Sequence, residues 1–349
     1  MGGAGRDVLL VGSLPFENAE AVFAAVGSIL GRRVHAVPDG ETGARLQWIN
    51  WQSRTFEQHP LFRRSSETTG EWRTADEKWK SSGWFALREN ANSDEVSFDS
   101  LGYANVALDS YKVFARCKEN RILAPDCRLQ VSLPTPYNVI DQLVVPRDRV
   151  DVEPAFERQM MREVWDLTQN IPHTALSLQW DVAHEVQNLA GGRSHWFDDP
   201  ERRIVDRLTR LADAIPRGVE LGFHLCYGDF AHKHFIEPTD MSLMVRLSNA
   251  LCGSISRAVN WIHMPVPRGR TDAAYYSPLA DLHVKPETRI YLGLIHYSDG
   301  LEGAGERMAT ASKFLRNFGV ATECGFGRRE VATVIPLLHL HAQVADLAS

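Results

Sequence analysis

Gly222-Phe223-His224-Leu225-Cys226-Tyr227-Gly228-Asp229 follows a short apolar run that ends at Leu221 and reads as a strand. Alternate side chains of a strand share a face, so His224 and Cys226 point the same way at its end. An imidazole and a thiolate side by side are two thirds of a catalytic zinc site. The plainer alternative is a buried Cys beside a surface His. The other donors would have to come from other strand ends, so the arrangement of strands decides the matter.

Downstream, Ala258–Ile262 is a strand ending at His263, Arg289–Ile295 one ending at His296, and Gly319–Thr322 one running into Glu323-Cys324. Upstream, Thr174–Trp180 ends at Asp181, and Arg128–Leu133 is stopped by Pro134-Thr135-Pro136. Val34–Val37 runs into the turn-rich Pro38-Asp39-Gly40-Glu41, and Asp7–Gly12 is a buried strand feeding Ser13-Leu14-Pro15. Helical spacing covers 18–30, 45–56, 100–120, 154–169, 199–214, 240–251, 301–318 and 330–347, the last bent at Pro336.

Strands alternating with helices argue for a parallel sheet, and about eight such units argue for an α/β fold closed as a (β/α)8 TIM barrel. We expect a single TIM-barrel domain over 1–349, with an insertion at approximately 58–125 between the second and third strands. Residues 58–100 are irregular and polar, which suits a lid or interface or, more plainly, a peripheral excursion. No Gly-x-Gly-x-x-Gly follows the first strand and no Gly-Lys-Thr phosphate loop is present, which disfavours an open dinucleotide fold.

Composition narrows the function classes. The 349 residues are 44% hydrophobic and 23% charged, with a net charge of -6 and bases interspersed with acids, so no nucleic-acid footprint is expected. No apolar run is long enough to span a membrane, and Met1-Gly2-Gly3-Ala4-Gly5-Arg6 lacks both a signal-peptide pattern and the Ser/Thr of a myristoylation site. A cytoplasmic protein is the expectation. The five cysteines are scattered, and in a reducing compartment they stay unbridged or bind metal. Cys117, Cys127 and Cys252 read as packing residues, His232 and His234 as part of a polar segment, and His339 and His341 as opposite faces of the last helix.

Catalytic groups of a barrel sit at the C-terminal ends of its strands. The polar residues there are Ser13, Asp39, Glu41, Asp181, His224, Cys226, His263, His296, Glu323 and Cys324. The metal reading takes His224, Cys226, Cys324 and His263, with His296 a rival for the fourth place, and sulfur and nitrogen donors point to Zn2+. Zinc with two thiolates is a modest Lewis acid suited to binding a substrate thiol and holding its thiolate, which points to alkyl transfer onto sulfur.

The pattern is similar to the catalytic half of cobalamin-independent methionine synthase, in a wider group that includes uroporphyrinogen decarboxylase and zinc thiol alkyltransferases. Val11-Gly-Ser-Leu-Pro15 resembles the family's Gly-Ser-Phe-Pro loop, whose Ser contacts the amino-acid substrate. Asp39-Gly-Glu41, with Arg45 after it, resembles His-Gly-Glu, and Gln179-Trp-Asp181 resembles Gln-Ile-Asp; the family's Glu and Asp bind the substrate ammonium. His224-Leu-Cys226-Tyr and Glu323-Cys324-Gly resemble the zinc-binding His-x-Cys-Tyr and Asp-Cys-Gly. Leu294-Ile-His296 resembles the strand end whose His moves a proton. The chain departs from the family at Asn260-Trp-Ile-His263, where the family supplies a Glu ligand, and at Asp181-Val-Ala-His184-Glu185 in place of Asp-Glu-Pro-Ala.

The resemblance implies a zinc-dependent methyl- or alkyltransferase. Its substrates would be a small thiol or amino-acid-like molecule and a methyl or alkyl donor. Ser13, Asp39, Glu41, Arg45 and Asp181 would bind the substrate, with Asp181 and His296 in catalytic roles. Trp48, Trp51 and Trp180 are candidates for a donor pocket. The alternatives are a lyase or decarboxylase that grips a carboxylated substrate with Asp39, Asp181, Arg45 and Arg268, and a metal- or thiol-binding protein without turnover.

Overall fold

The computed structural model describes residues 7–66, 72–73, 78–79, 84–228 and 236–347; Asp229, His232 and His234 lie outside them. Seven parallel strands form one curled sheet in chain order: β1 (Ala36–Pro38), β2 (Arg128–Pro134), β3 (Leu176–Val182), β4 (Glu220–Leu225), β5 (Trp261–Pro265), β6 (Arg289–Ile295) and β7 (Gly319–Thr322). Every residue of β3 and β5 is buried, as expected of parallel strands covered by helices outside and filled by side chains inside.

Residues 7–12, expected as the first of eight strands, lie with Ser13 between the two edges of this sheet instead. Val8 bridges Val34 on one side and Val320 on the other, and Ser13 bridges Gly40. Isolated bridges form rather than a ladder, and the cause is visible in the interior. Gln130 Nε2 donates to Leu10 O (2.9 Å) and Val11 O (3.0 Å), Gln179 Nε2 to Val11 O (2.6 Å), and Ser132 Oγ to Val11 O (3.1 Å). Inner side chains have taken the carbonyls that a neighbouring strand would use. The fold is therefore a seven-stranded parallel sheet whose edges meet through this segment.

The outer helices follow the sequence periodicity: α1 (Ala19–Ile29), α2 (Tyr103–Glu119), α3 (Pro136–Leu143), α4 (Arg149–Asn170), α5 (His184–Leu189), α6 (Pro200–Asp213), α7 (Ser242–Ser254), α8 (Gly300–Ala311) and α9 (Val331–Ala345). Two stretches correct expectations. Pro134-Thr135-Pro136 stops β2 but also starts α3, because Pro136 takes the first helical turn, where its missing N–H is harmless, and Thr135 caps Asn138 N. The helix expected over 45–56 is a 3-10 stretch, Gly43–Gln52, broken at Trp48 (φ 52°, ψ -120°), followed by a short α-turn, Ser53–Gln58. Between β1 and α2, a two-strand antiparallel pair (Phe62–Arg64 with Phe85–Leu87) is anchored by rings of Phe56, Phe62, Phe85, Phe98 and, from α4, Phe156. Among the described residues no helix is long and apolar enough to cross a membrane.

Inside the sheet the layers are mixed. At the N-terminal end of the strands Glu220 is held by His35 (2.8 Å), Arg128 (3.5 Å) and Arg289 (3.7 Å). Above it sit Leu9, Trp261, Tyr291 and Ala321. Gly222 makes room for the Trp261 indole: a Cβ there would stand 1.8 Å from Trp261 Cε2.

Candidate functional site

Asp181, His224 and His263 stand level on β3, β4 and β5, since Asp181 is the register partner of His224 and His224 of His263. Strand alternation brings Gln179 onto the face of Asp181, and Gln179 Nε2 donates to Asp181 Oδ1 at 2.9 Å. The other side of Asp181 receives the Trp48 indole. Burial pushes the Asp181 carboxyl up to about 6, against the opposing pull of His224 and these two hydrogen bonds. Glu41 sits over Gly12, where a Cβ would come within 2.6 Å of Glu41 Oε1. Burial first, then the charge of Asp181, raises the Glu41 carboxyl well above its usual range.

Glu41 has φ 48°, a left-handed backbone that a non-glycine residue adopts only when held there. Asp39 does the holding. It accepts from Glu41 N (2.9 Å), from both Arg45 nitrogens (3.1 and 2.9 Å) and from Ser110 Oγ (2.6 Å). Asp39 and Arg45, expected to touch substrate, are thus committed to each other and to the loop that carries Glu41. Ser13 is similarly engaged: Gly327 N donates to its Oγ at 3.1 Å, and Phe326 N to its carbonyl at 2.6 Å. A Cβ on Gly325 or Gly327 would lie 2.4 or 2.8 Å from Ser13 Oγ, so these bare positions let the loop after Cys324 close on Ser13.

The donor atoms of His224, Cys226 and Cys324 lie within 4.8 Å of one another. Gly228 N donates to Cys226 Sγ at 3.3 Å, and Arg328 Nη2 lies 3.9 Å from Cys324 Sγ; both favour a thiolate. Cys324 reaches the group because the end of β7 folds inward. The β6–β7 register shifts between Leu292 and Ile295, and a Cβ at Gly293 would meet Thr322 O and Glu323 Cα at 2.9 Å. The two soft sulfurs and one imidazole suit zinc.

His263, expected as the fourth ligand, does not join this group. Its Nδ1 lies 2.7 Å from His224 Nδ1 and its Nε2 2.9 Å from Thr322 O, so both ring nitrogens face protein. His296 Nε2 donates to Val266 O at 2.9 Å and lies 3.4 Å from Glu323 Oε1. Trp51 packs edge-on against Tyr103 and Trp180 is fully buried, which leaves Trp48 as the tryptophan beside Asp181. Arg268, assigned with Arg45 to a carboxylate clamp, donates to Ser298 Oγ (3.0 Å). Cys117, Cys127 and Cys252 are core residues, and His341 is buried while His339 is exposed. Sequence reasoning quoted Gln179 only as the start of Gln179-Trp-Asp181 and gave it no role, although its spacing from Asp181 was a sufficient signal. Trp48, a candidate for the donor pocket, was not expected as a hydrogen-bond donor to Asp181, and nothing in the sequence marks the Thr322 carbonyl.

No family model and no curated protein sequence matches the chain. Solved structures do match in fold. A B12-independent methionine synthase from Shewanella sp. W3-18-1, in complex with selenomethionine, superposes with a TM-score of 0.62 at 14% identity, covering 99% of this chain and 97% of that one. A putative vitamin-B12 independent methionine synthase from Listeria monocytogenes gives 0.57 at 12% identity, over 94% of this chain and 86% of that one. A methyltransferase from Methanosarcina mazei gives 0.56 at 12%, over 98% and 93%. At these identities the chain shares with methionine synthase-like and methyltransferase structures an α/β fold along nearly its whole length.

Proposed function

We propose that this chain is a zinc-dependent methyl- or alkyltransferase acting on the thiol of an amino-acid-like substrate. The observation that carries the reading is the convergence of His224, Cys226 and Cys324 within 4.8 Å, beside Asp181, which is level with His224 on the next strand. Those three residues would hold the ion. Zinc bound there would lower the pKa of an incoming thiol and present it as a thiolate for transfer.

The chain's own groups account for the rest. Glu41 and Asp181 form an acidic pair that binds a substrate ammonium; a cation between them also lowers both raised pKa values. Asp39, Arg45 and Ser13 keep the Glu41 and Cys324 loops in place. His296 keeps a proton on Nε2 next to Glu323, placed to exchange it during transfer. The Shewanella neighbour's selenomethionine supports an amino-acid-like acceptor.

The test is metal content by inductively coupled plasma mass spectrometry on wild type, Cys226→Ala and Cys324→Ala, followed by thiol methylation assays. About one zinc per chain, lost in both variants, is expected for a site with zinc-thiolate ligands. Metal retained in both variants would refute the reading.

A further inference from the structure

We propose that His263 is a positioning residue of the metal site rather than a ligand, fixing the tautomer of His224 and tying the His224 strand to the Cys324 strand. The inference rests on the metal reading above and assigns His263 a role within it.

Two imidazole nitrogens 2.7 Å apart share a single proton, one donating and the other accepting. A ring nitrogen 2.9 Å from a carbonyl oxygen carries a proton, so His263 Nε2 is N–H toward Thr322 O. An imidazole with one N–H directs it here at the Thr322 carbonyl, so His263 Nδ1 is the acceptor and His224 Nδ1 is the donor. The lone pair of His224 is then on Nε2, the ring nitrogen that would bind an ion.

The same ring reaches across β6. Thr322 immediately precedes Glu323-Cys324, and Thr322 Oγ1 donates to the Cys324 carbonyl at 2.7 Å. One side chain thus sets a nitrogen donor on β4 and braces the strand end that carries a sulfur donor. Gly293 on β6 leaves the space through which Thr322 O approaches. A partner that orients a metal-binding His and sets its tautomer changes metal affinity by roughly 10- to 100-fold on removal.

Two measurements test this. Nitrogen-15 histidine correlation spectra of the metal-free protein read the His224 tautomer directly, and the Nδ1–H form is expected. Zinc affinity by chelator competition and Co2+ absorption spectra are then compared for wild type, His263→Gln and His263→Leu. A Gln side chain can accept from His224 and donate to Thr322 O, so His263→Gln should stay within about threefold of wild type, and His263→Leu should lose about 10- to 100-fold. In both variants the Co2+ spectrum should keep the shape set by one nitrogen and two sulfurs. An Nε2–H tautomer for His224, or full affinity in His263→Leu, overturns the inference. So does a Gln variant as weak as Leu with an altered Co2+ spectrum, because that is the behaviour of a lost ligand. A wild type that binds no metal would instead remove the metal reading itself, whereas a metal-binding wild type indifferent to His263→Leu removes only this inference.

Discussion

Gly222→Ala adds one methyl group and tests how tightly the interior below the site is built. The new Cβ would lie 1.8 Å from Trp261 Cε2, and ordinary contact begins at 3.4 Å, so the indole must retreat by 3.4 - 1.8 = 1.6 Å. It is 2% exposed and wedged among Leu9, Tyr291 and Ala321, so no open side is offered. Overpacking of this kind costs about 1–3 kcal/mol. Retreat also strains the bond from Trp261 Nε1 to Gln179 Oε1 (3.3 Å), worth about 1 kcal/mol. The total is about 2–4 kcal/mol. With an unfolding entropy of about 2.1 cal/mol/K per residue, or about 0.7 kcal/mol/K for this chain, the melting temperature should fall by about 3–6 °C in calorimetry. Because Gln179 also holds Asp181, the effect should extend to the site as weaker binding of an amine-bearing thiol. A double mutant with Trp261→Leu separates clash from general damage. Relieving the clash should make the double mutant more stable than the sum of the singles by at least about 1.5 kcal/mol. Strict additivity, or a Gly222→Ala protein that melts with wild type, would refute the packing argument.

Three further outcomes are expected. Asp141 is fully buried between Arg149 (2.7 Å), His184 (2.7 Å) and Arg193; burial alone would raise its carboxyl, but these partners hold it well below the usual range. Asp141→Asn leaves the buried Arg149 without its counter-charge and should cost about 3–5 kcal/mol in chemical denaturation; a loss under about 1 kcal/mol would contradict this. Glu185 is pushed by burial up to about 8, against a hydrogen bond from Thr135 Oγ1, so it is neutral in the fold but ionised in the unfolded chain above its ordinary value of 4.5. Its contribution is therefore lost as pH rises from 4.5 to 8, and Glu185→Gln should flatten the fall in melting temperature between pH 5 and 9; parallel profiles would argue against a neutral Glu185. Gly12→Ala meets only the flexible end of Glu41 at 2.6 Å, so stability should change by less than about 1 kcal/mol. Titration calorimetry should nevertheless show weaker binding of an amine-bearing thiol and unchanged binding of the same thiol lacking the amine.

The strand ends were legible because parallel strands are short apolar runs with abrupt polar stops. Arg289–Ile295 and Gly319–Thr322 form over the residues expected, and His296, directly after the one, and Cys324, two residues beyond the other, sit where the runs break. Local chemistry with two meanings was harder to read. Pro136 ends a strand and begins a helix, and a run such as Asp7–Gly12 can be extended and buried without forming a ladder when side chains take its carbonyls. His263 shows the limit most clearly. Its residue type and level on the strand suit a ligand. Which way its two nitrogens face depends on Gly293 and the inward bend at Thr322, a relation between strands that no local pattern encodes.

The meeting of the sheet's edges at Val8 also sets a schedule for folding. Val8 pairs with Val320, 320 - 8 = 312 residues later in the chain. At roughly 5–20 residues per second, a ribosome needs about 15–60 s to travel from one to the other. Throughout that interval β1 and each newest strand remain exposed edges, the kind that recruit foreign strands. Nascent chains stalled before residue 320 should therefore depend on chaperones far more than the finished protein, whose last strand removes the hazard in a single step.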